Sequence, residues 1–209
     1  GVCGSGIIEC IAEMYLSGIL TQDGVVDGSM AAKSPRIEPD GRTFSYLLHD
    51  GTPQLRITQN DVRAIQLAKA ALYAGARLLM DRMGIDKLDR ITLAGAFGSH
   101  IDVKYAMVLG MIPDCDLAKV TSAGNAAGTG ARIALLNAKS REEIARVVKQ
   151  VEKVETAVEP KFQEHFVGAM AIPHKTAPYP HLAKAVALPA PKVITPSDED
   201  GGRRRRRRG

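Results

Sequence analysis

The chain has 209 residues, 45% of them hydrophobic, and a formal net charge of +5. The run Arg203 to Arg208 outweighs that charge by itself, so the rest of the chain is near neutral and lacks the basic face of a nucleic-acid-binding domain. Cys3, Cys10 and Cys115 are widely spaced with no C-x-x-C pair, which excludes a disulfide framework, a zinc site or an iron–sulfur cluster built from this chain alone and predicts a reducing, cytoplasmic setting.

A chain of this size hides roughly 70% of its unfolded surface, enough for a sizeable core. Aromatics are only 4% and Trp is absent, so the core must be built from Ala, Val, Ile, Leu and Met. No apolar run approaches the ~20 residues that cross a membrane, and the start has no secretory pattern. The chain also opens without Met, so it is expected to be a piece of a longer protein.

The elements follow in chain order. "GVCGSG" runs straight into Ile7, Ile8, Ile11, Ala12, Tyr15 and Leu16, which recur at helical spacing, with Gly18 as the stop. "RIEPDGRTFSYLL" predicts a hairpin about Asp40-Gly41, with a short strand at Leu55 and Ile57. Thr58 and Asp61 have capping-box spacing and open a long helix with Val62, Ile65, Ala68, Leu72, Gly75, Leu79 and Met83 near one face, stopped at Gly84. "DRITLAGAFG" predicts a buried strand running into a glycine turn, and Val103 to Leu109 a helix. "KVTSAGNAAGTGARIALLNA" repeats strand, small-residue turn and helix. "REEIARVVKQ" reads as helix, "VEKVETA" as strand, and Pro160 starts a further helix. From residue 174 onward prolines concentrate and apolar periodicity disappears, predicting a disordered tail over 174–209 behind a folded domain over 1–173. Alternating strands and helices make the domain α/β.

Three turns share one design: Gly1–Gly6, Gly95–Gly98 and Gly124–Gly130 are rich in Gly, Ala and Ser and lead toward helices. Helix N-termini offer free N–H groups and partial positive charge, and small residues let a phosphate or base reach the backbone. None matches a Walker-type phosphate loop or the complete dinucleotide fingerprint. Any one of them taken alone is better explained by close backbone packing. Three in one α/β domain favour a ligand, because ligands gather at the carboxyl ends of strands.

Other residues read more plainly. Asp102 and Lys104 fit a solvated helix start, Cys3 a small thiol at a helix N-terminus, and Met80, Met83, Met107 and Met111 core positions. The five histidines show no metal-ligand spacing. The Arg run reads as a solvated segment with weak, salt-sensitive contacts to polyanions.

Together, "GVCGSGIIECIAEM", "ITQNDVRAIQLAKAALYAG", "ITLAGAFGSHID", "TSAGNAAGTGAR" and "FQEHFVGAMAIP" resemble, in order, the C-terminal part of the reductive activators of corrinoid proteins. The resemblance spans residues 1 to 173 and thins over 20 to 56. It implies the C-terminal lobe of an acetate and sugar kinase/Hsp70/actin (ASKHA) fold, with a mixed sheet and flanking helices. Such activators are ATP-dependent iron–sulfur proteins that re-reduce the Co(II) corrinoid of methyltransferase systems.

The resemblance assigns Gly95, Ala96, Phe97 and Gly98 to adenosine binding. It places Gly4, Ser5 and Gly6 beside the nucleotide cleft, and makes Gly124 and Asn125, with Ala126 and Ala127, the final turn. It implies ATP with magnesium in the full protein, and a [2Fe–2S] cluster only in an N-terminal domain outside this chain. It further implies a corrinoid-protein partner and dimerisation. No metal site and no catalytic residue is assigned here, and the chain by itself is expected to lack ATPase and reductase activity. The alternatives are an activator of 2-hydroxyacyl-CoA dehydratases or a small-molecule kinase of the same fold, and a non-catalytic docking or dimerisation module. An upstream four-cysteine motif separates the first of these from the corrinoid activators.

Overall fold

A computed structural model describes residues 1–95 and 97–192. Helix α1 (Gly4–Leu16) stops at Ser17, and Gly18 follows at φ +73°, the left-handed conformation that ends helices. Strands β1 (Ile37–Asp40), β2 (Thr43–His49) and β3 (Leu55–Ile57) form an antiparallel sheet in the order β1-β2-β3, with β1 and β2 turning at Gly41 as the Asp-Gly pair predicts. Helix α2 (Gln59–Met83) starts on a complete capping box, with the Thr58 hydroxyl accepting from Asp61 N and the Asp61 carboxylate accepting from Thr58 N. It ends at Gly84.

Strand β4 (Ile91–Ala94) pairs in parallel with β5 (Val120–Gly124). Helix α3 (Val103–Val108) lies between them in sequence, and α4 (Ala126–Leu136), α5 (Ala138–Val148), α6 (Pro160–Gly168) and α7 (Pro180–Ala185) follow. Parallel and antiparallel pairing are thus both present, but in two separate sheets. The core runs through α1, α2, α3 and α7, with Ile11, Val62, Met107, Leu109 and Leu182 essentially solvent-free.

Four local expectations need correction. The face of α2 that turns inward is Val62, Gln66, Lys69, Ala70, Tyr73 and Leu78, while Leu72, Leu79 and Met83 are exposed. Two polar residues displace apolar ones because the α6 connection presents carbonyls there. Gln66 Nε2 donates to Asp23 O and Met170 O, and Lys69 Nζ donates to Ala171 O and Pro173 O. The strand β4 is only half-buried. The "VEKVETA" segment forms no strand; it runs into a 3₁₀ turn, Thr156–Val158, and Arg82 pairs with Glu152 inside it and with Glu159 just beyond it.

The expected tail boundary at 174 also falls too early. Tyr179 Oη donates to Ile112 O at 3.0 Å, and the Asp114 carboxylate caps α7 by accepting from His181 N and Leu182 N. Leu182 is 0% exposed, and Val186 and Leu188 pack against the core. These are single anchors rather than a periodic stripe, so apolar spacing does not reveal them. Residues 193–209 of the expected tail, with the Arg run, lie outside the described residues.

Two predictions follow from the α2–α6 junction. Gly110 has φ +71°, and a Cβ there would overlap the Pro173 carbonyl. Gly110→Ala should therefore cost at least about 2 kcal/mol, read by urea unfolding. An unchanged midpoint would show that the 169–173 segment does not rest on this glycine.

The second concerns Lys69, which is 2% exposed. Burial pushes its amine down to about 7 from 10.5. A neutral amine still has two N–H donors for its two carbonyls. Between about pH 7 and 10.5 the unfolded chain holds a proton that the folded chain lacks, so stability rises with pH across that window. Urea unfolding should show the native chain gaining on Lys69→Met from pH 7 to 10, by up to about 1.4 kcal/mol per pH unit. A pH-independent gap would mean that Lys69 stays charged.

Candidate functional site at the ends of the parallel strands

The parallel pairing of β4 with β5 brings two of the three glycine turns side by side. The ladder continues one step past the strands, where Gly95 N donates to Gly124 O at 2.8 Å. Gly95 has φ +122° and Gly124 φ +62°, backbone conformations that side-chain-bearing residues avoid. A Cβ at either would meet nothing within 4 Å, so open space faces both.

The turn after Gly95 is held by Ser99 N donating to Gly95 O and His100 N to Phe97 O, at 3.2 and 3.1 Å. Gly98 packs on Leu93, where a Cβ would sit 3.3 Å from the leucine Cβ. Ala96 lies outside the described residues. Phe97 is 52% exposed and offers a flat apolar ring at the mouth of the turn.

Phe97 also joins the first turn to the other two. A Cβ at Gly4 would stand 2.8 Å from the Phe97 ring, so a larger residue at this position would push the exposed ring aside. Cys3 is the N-cap of α1: its Sγ accepts from Gly6 N at 3.4 Å and lies 3.5 Å from Ser5 Oγ. The Ser5 hydroxyl, then the Gly6 N–H, hold the Cys3 thiol below its ordinary value, as thiolate-favouring donors do. Cysteine is not among the usual caps, so the sequence gives no cue to this role. In the third turn Asn125 caps α4, its side-chain oxygen accepting from Gly128 N at 2.9 Å.

The three turns therefore converge: Gly4, Ser5 and Gly6 at the start of α1, Gly95, Phe97 and Gly98 after β4, and Gly124 with Asn125 after β5. The Gly4–Phe97 contact joins residues far apart in the sequence, and no spacing rule signals it. The helix starts of α1 and α4 add donor N–H groups and positive dipole ends, suiting an anionic or planar polar ligand. No carboxylate belongs to the turns. Asp102 caps α3 by accepting from Lys104 N, and the Lys104 ammonium lies over the Tyr105 ring at 4.0 Å. Among the described residues no three His, Cys, Asp or Glu side chains gather as a metal site, and no helix is long and apolar enough to cross a membrane.

Residues 1–183 match the family described as the C-terminal domain of RACo, the ASKHA domain. The corrinoid activation enzyme RamQ of Eubacterium limosum is 36% identical over 179 residues, covering 80% of this chain and 30% of RamQ. Among solved structures, a reductive activator for corrinoid, iron–sulfur protein superimposes with a TM-score of 0.76 at 31% identity, covering 89% of this chain and 30% of that one. The chain thus spans about 30% of the length of each of these relatives. On sequence and fold together, it belongs to the family of C-terminal ASKHA domains of corrinoid reductive activators.

Proposed function

We propose that the chain is the nucleotide-binding lobe of an ATP-dependent iron–sulfur activator that returns Co(II) corrinoid proteins of methyltransferase systems to Co(I), in the cytoplasm. The observation that carries this reading is the convergence of three glycine turns at the carboxyl ends of β4 and β5. Gly95, Ala96, Phe97 and Gly98 form the adenosine seat: the glycine backbone admits the sugar and base, and the Phe97 ring gives the base an apolar face. Gly4, Ser5 and Gly6 line the side toward the phosphates. Gly124 and Asn125 fix the third wall and the start of α4.

Bound ATP supplies the free energy that sets the two lobes of the larger protein open or closed. This lobe's part is to hold the nucleoside and carry the movement of its turns into α1 and α4. The turns carry no carboxylate, so any protein ligands to the nucleotide's magnesium would have to come from outside them. The [2Fe–2S] cluster belongs to a part of the larger protein outside this chain, whose three cysteines, Cys3, Cys10 and Cys115, differ in exposure from exposed to buried. Electrons come from a cluster elsewhere in the larger protein, and the corrinoid protein docks as its partner.

A second reading, a docking or dimerisation module, is favoured by α4 and α5, which bury no residue and leave Leu135 78% and Leu136 83% exposed. A homodimer of the activator would use such a surface.

The decisive experiment is calorimetry of ATP and ADP with this chain joined to its upstream lobe. Gly95→Val should weaken binding at least about tenfold, because a β-branched residue resists φ +122°. Thermal unfolding serves as the control for folding. Unaltered affinity in the variant, or no nucleotide binding by the joined protein, overturns the reading in favour of the docking module. The chain alone should show neither ATPase nor Co(II)-reductase activity, and turnover by it would contradict the split-site arrangement.

A further inference from the structure

The outward face of α2 has no cover among the described residues. Ala64, Ala68, Leu72, Gly75, Leu79 and Met83 lie along it, on the side away from the buried Val62, Lys69 and Tyr73. Leu72, Leu79 and Met83 each stand half or more exposed. From Ala64 to Leu79 this stripe carries no polar or charged side chain, and Ala71 and Ala76 lie on its flanks. Single exposed apolar residues are ordinary, but a continuous apolar stripe of this length marks a contact surface.

Gly75 stands at the middle of the stripe. Glycine inside a helix is destabilising relative to alanine. Gly75 does not adopt the left-handed conformation, and a Cβ there would meet nothing within 4 Å. Neither backbone nor packing within the described residues calls for glycine here, whereas close approach by another helix does.

The order of the stripe identifies that helix. Positions 64, 68, 72, 75, 79 and 83 follow at intervals of 4, 4, 3, 4 and 4 residues, which read the same from either end. Reversal about the midpoint between Tyr73 and Ala74 sets each small residue against a large one: Ala64 with Met83, Ala68 with Leu79, and Gly75 with Leu72. A two-fold antiparallel helix pair requires this pattern, because residue i meets j while j meets i, and large side chains enter the gaps over small ones. An unrelated partner imposes no such order.

We propose that a second copy of this chain docks on this face, its α2 antiparallel to the first, with Leu72 over the partner's Gly75 and Leu79 over the partner's Ala68. The stripe rises about 28 Å along a helix about 10–12 Å wide. With side-chain relief, that footprint buries on the order of 1,000 Å² over the two copies, the lower bound of specific interfaces. The pairing is therefore a reversible equilibrium. It assigns self-association to α2 rather than to α4 and α5, and it holds whether or not the glycine turns take nucleotide.

Sedimentation equilibrium of the chain joined to its upstream lobe tests it. Leu72→Glu/Leu79→Glu should raise the dimer dissociation constant at least about tenfold, because each glutamate would be buried against apolar surface. Gly75→Leu should also weaken the dimer while leaving the monomer's thermal midpoint unchanged or higher, since leucine is the better helix former. A glycine needed only for the fold would lower both. Leu135→Glu/Leu136→Glu on α4 should associate like the native protein. A native protein that stays monomeric at about 100 μM overturns the proposal. So does a dimer weakened by the α4 variant and not by the α2 variants.

A photo-reactive Leu79→p-benzoylphenylalanine protein gives a second readout. Covalent dimers linked from position 79 to positions 66–70 of the other copy are expected. Links to the upstream lobe of the same molecule, links between the two positions 79 as in a parallel pair, or no covalent dimer at all overturn the proposal.

Discussion

The parallel pairing of β4 with β5 is the constraint on which the site depends. Parallel strands need a long crossover, and here it runs from Gly95 through α3 back to Val120. The pairing sets Ala94 against Gly124 and continues as the Gly95–Gly124 hydrogen bond. Two turns lying far apart in sequence therefore open at one edge, both pointing past the carboxyl ends of their strands. The third arrives with α1, which packs on α3 and brings Gly4 against Phe97.

Polar contacts to backbone join the apolar core in holding the rest of the lobe to that arrangement. Lys69 and Gln66 reach from α2 to the carbonyls of 170–173, fixing the end of α6 against the middle of α2. His174 continues this seam: its Nδ1 accepts from Thr176 N and Ala177 N, and its ring lies 4.9 Å from that of Tyr73. Burial first, then the Lys69 and His165 charges, push His174 down to about 4, consistent with an imidazole that accepts rather than donates at Nδ1. Asp114 and Tyr179 then fasten α7. The body closes around backbone groups that would otherwise be buried without partners.

Local signals in the sequence are faithful where the cause is local. The Thr58–Asp61 box, the stops at Gly18 and Gly84, the Asp40-Gly41 hairpin and the Pro160 helix start each act within one turn, and each stands where the spacing puts it. Signals that depend on a distant partner mislead. Lys69 reads as a surface residue because its carbonyl partners lie about a hundred positions away, and Met83 reads as core although nothing among the described residues covers it. Residues 174–192 read as tail because Tyr179 and Leu182 are isolated anchors, meaningful only once Ile112 and Asp114 are in place.

By itself the sequence determined the α/β class, most element starts and stops, and the family, because caps, turns and motif order are written in contiguous residues. It also named the three turns. Only the tertiary structure decided that they meet, since the Gly95–Gly124 bond and the Gly4–Phe97 contact join segments that no periodicity links. It likewise decided that Cys3 caps α1 and that a lysine belongs in the core. Each is a matter of which distant surfaces come into contact, and that is fixed by packing and by the need to partner buried polar groups.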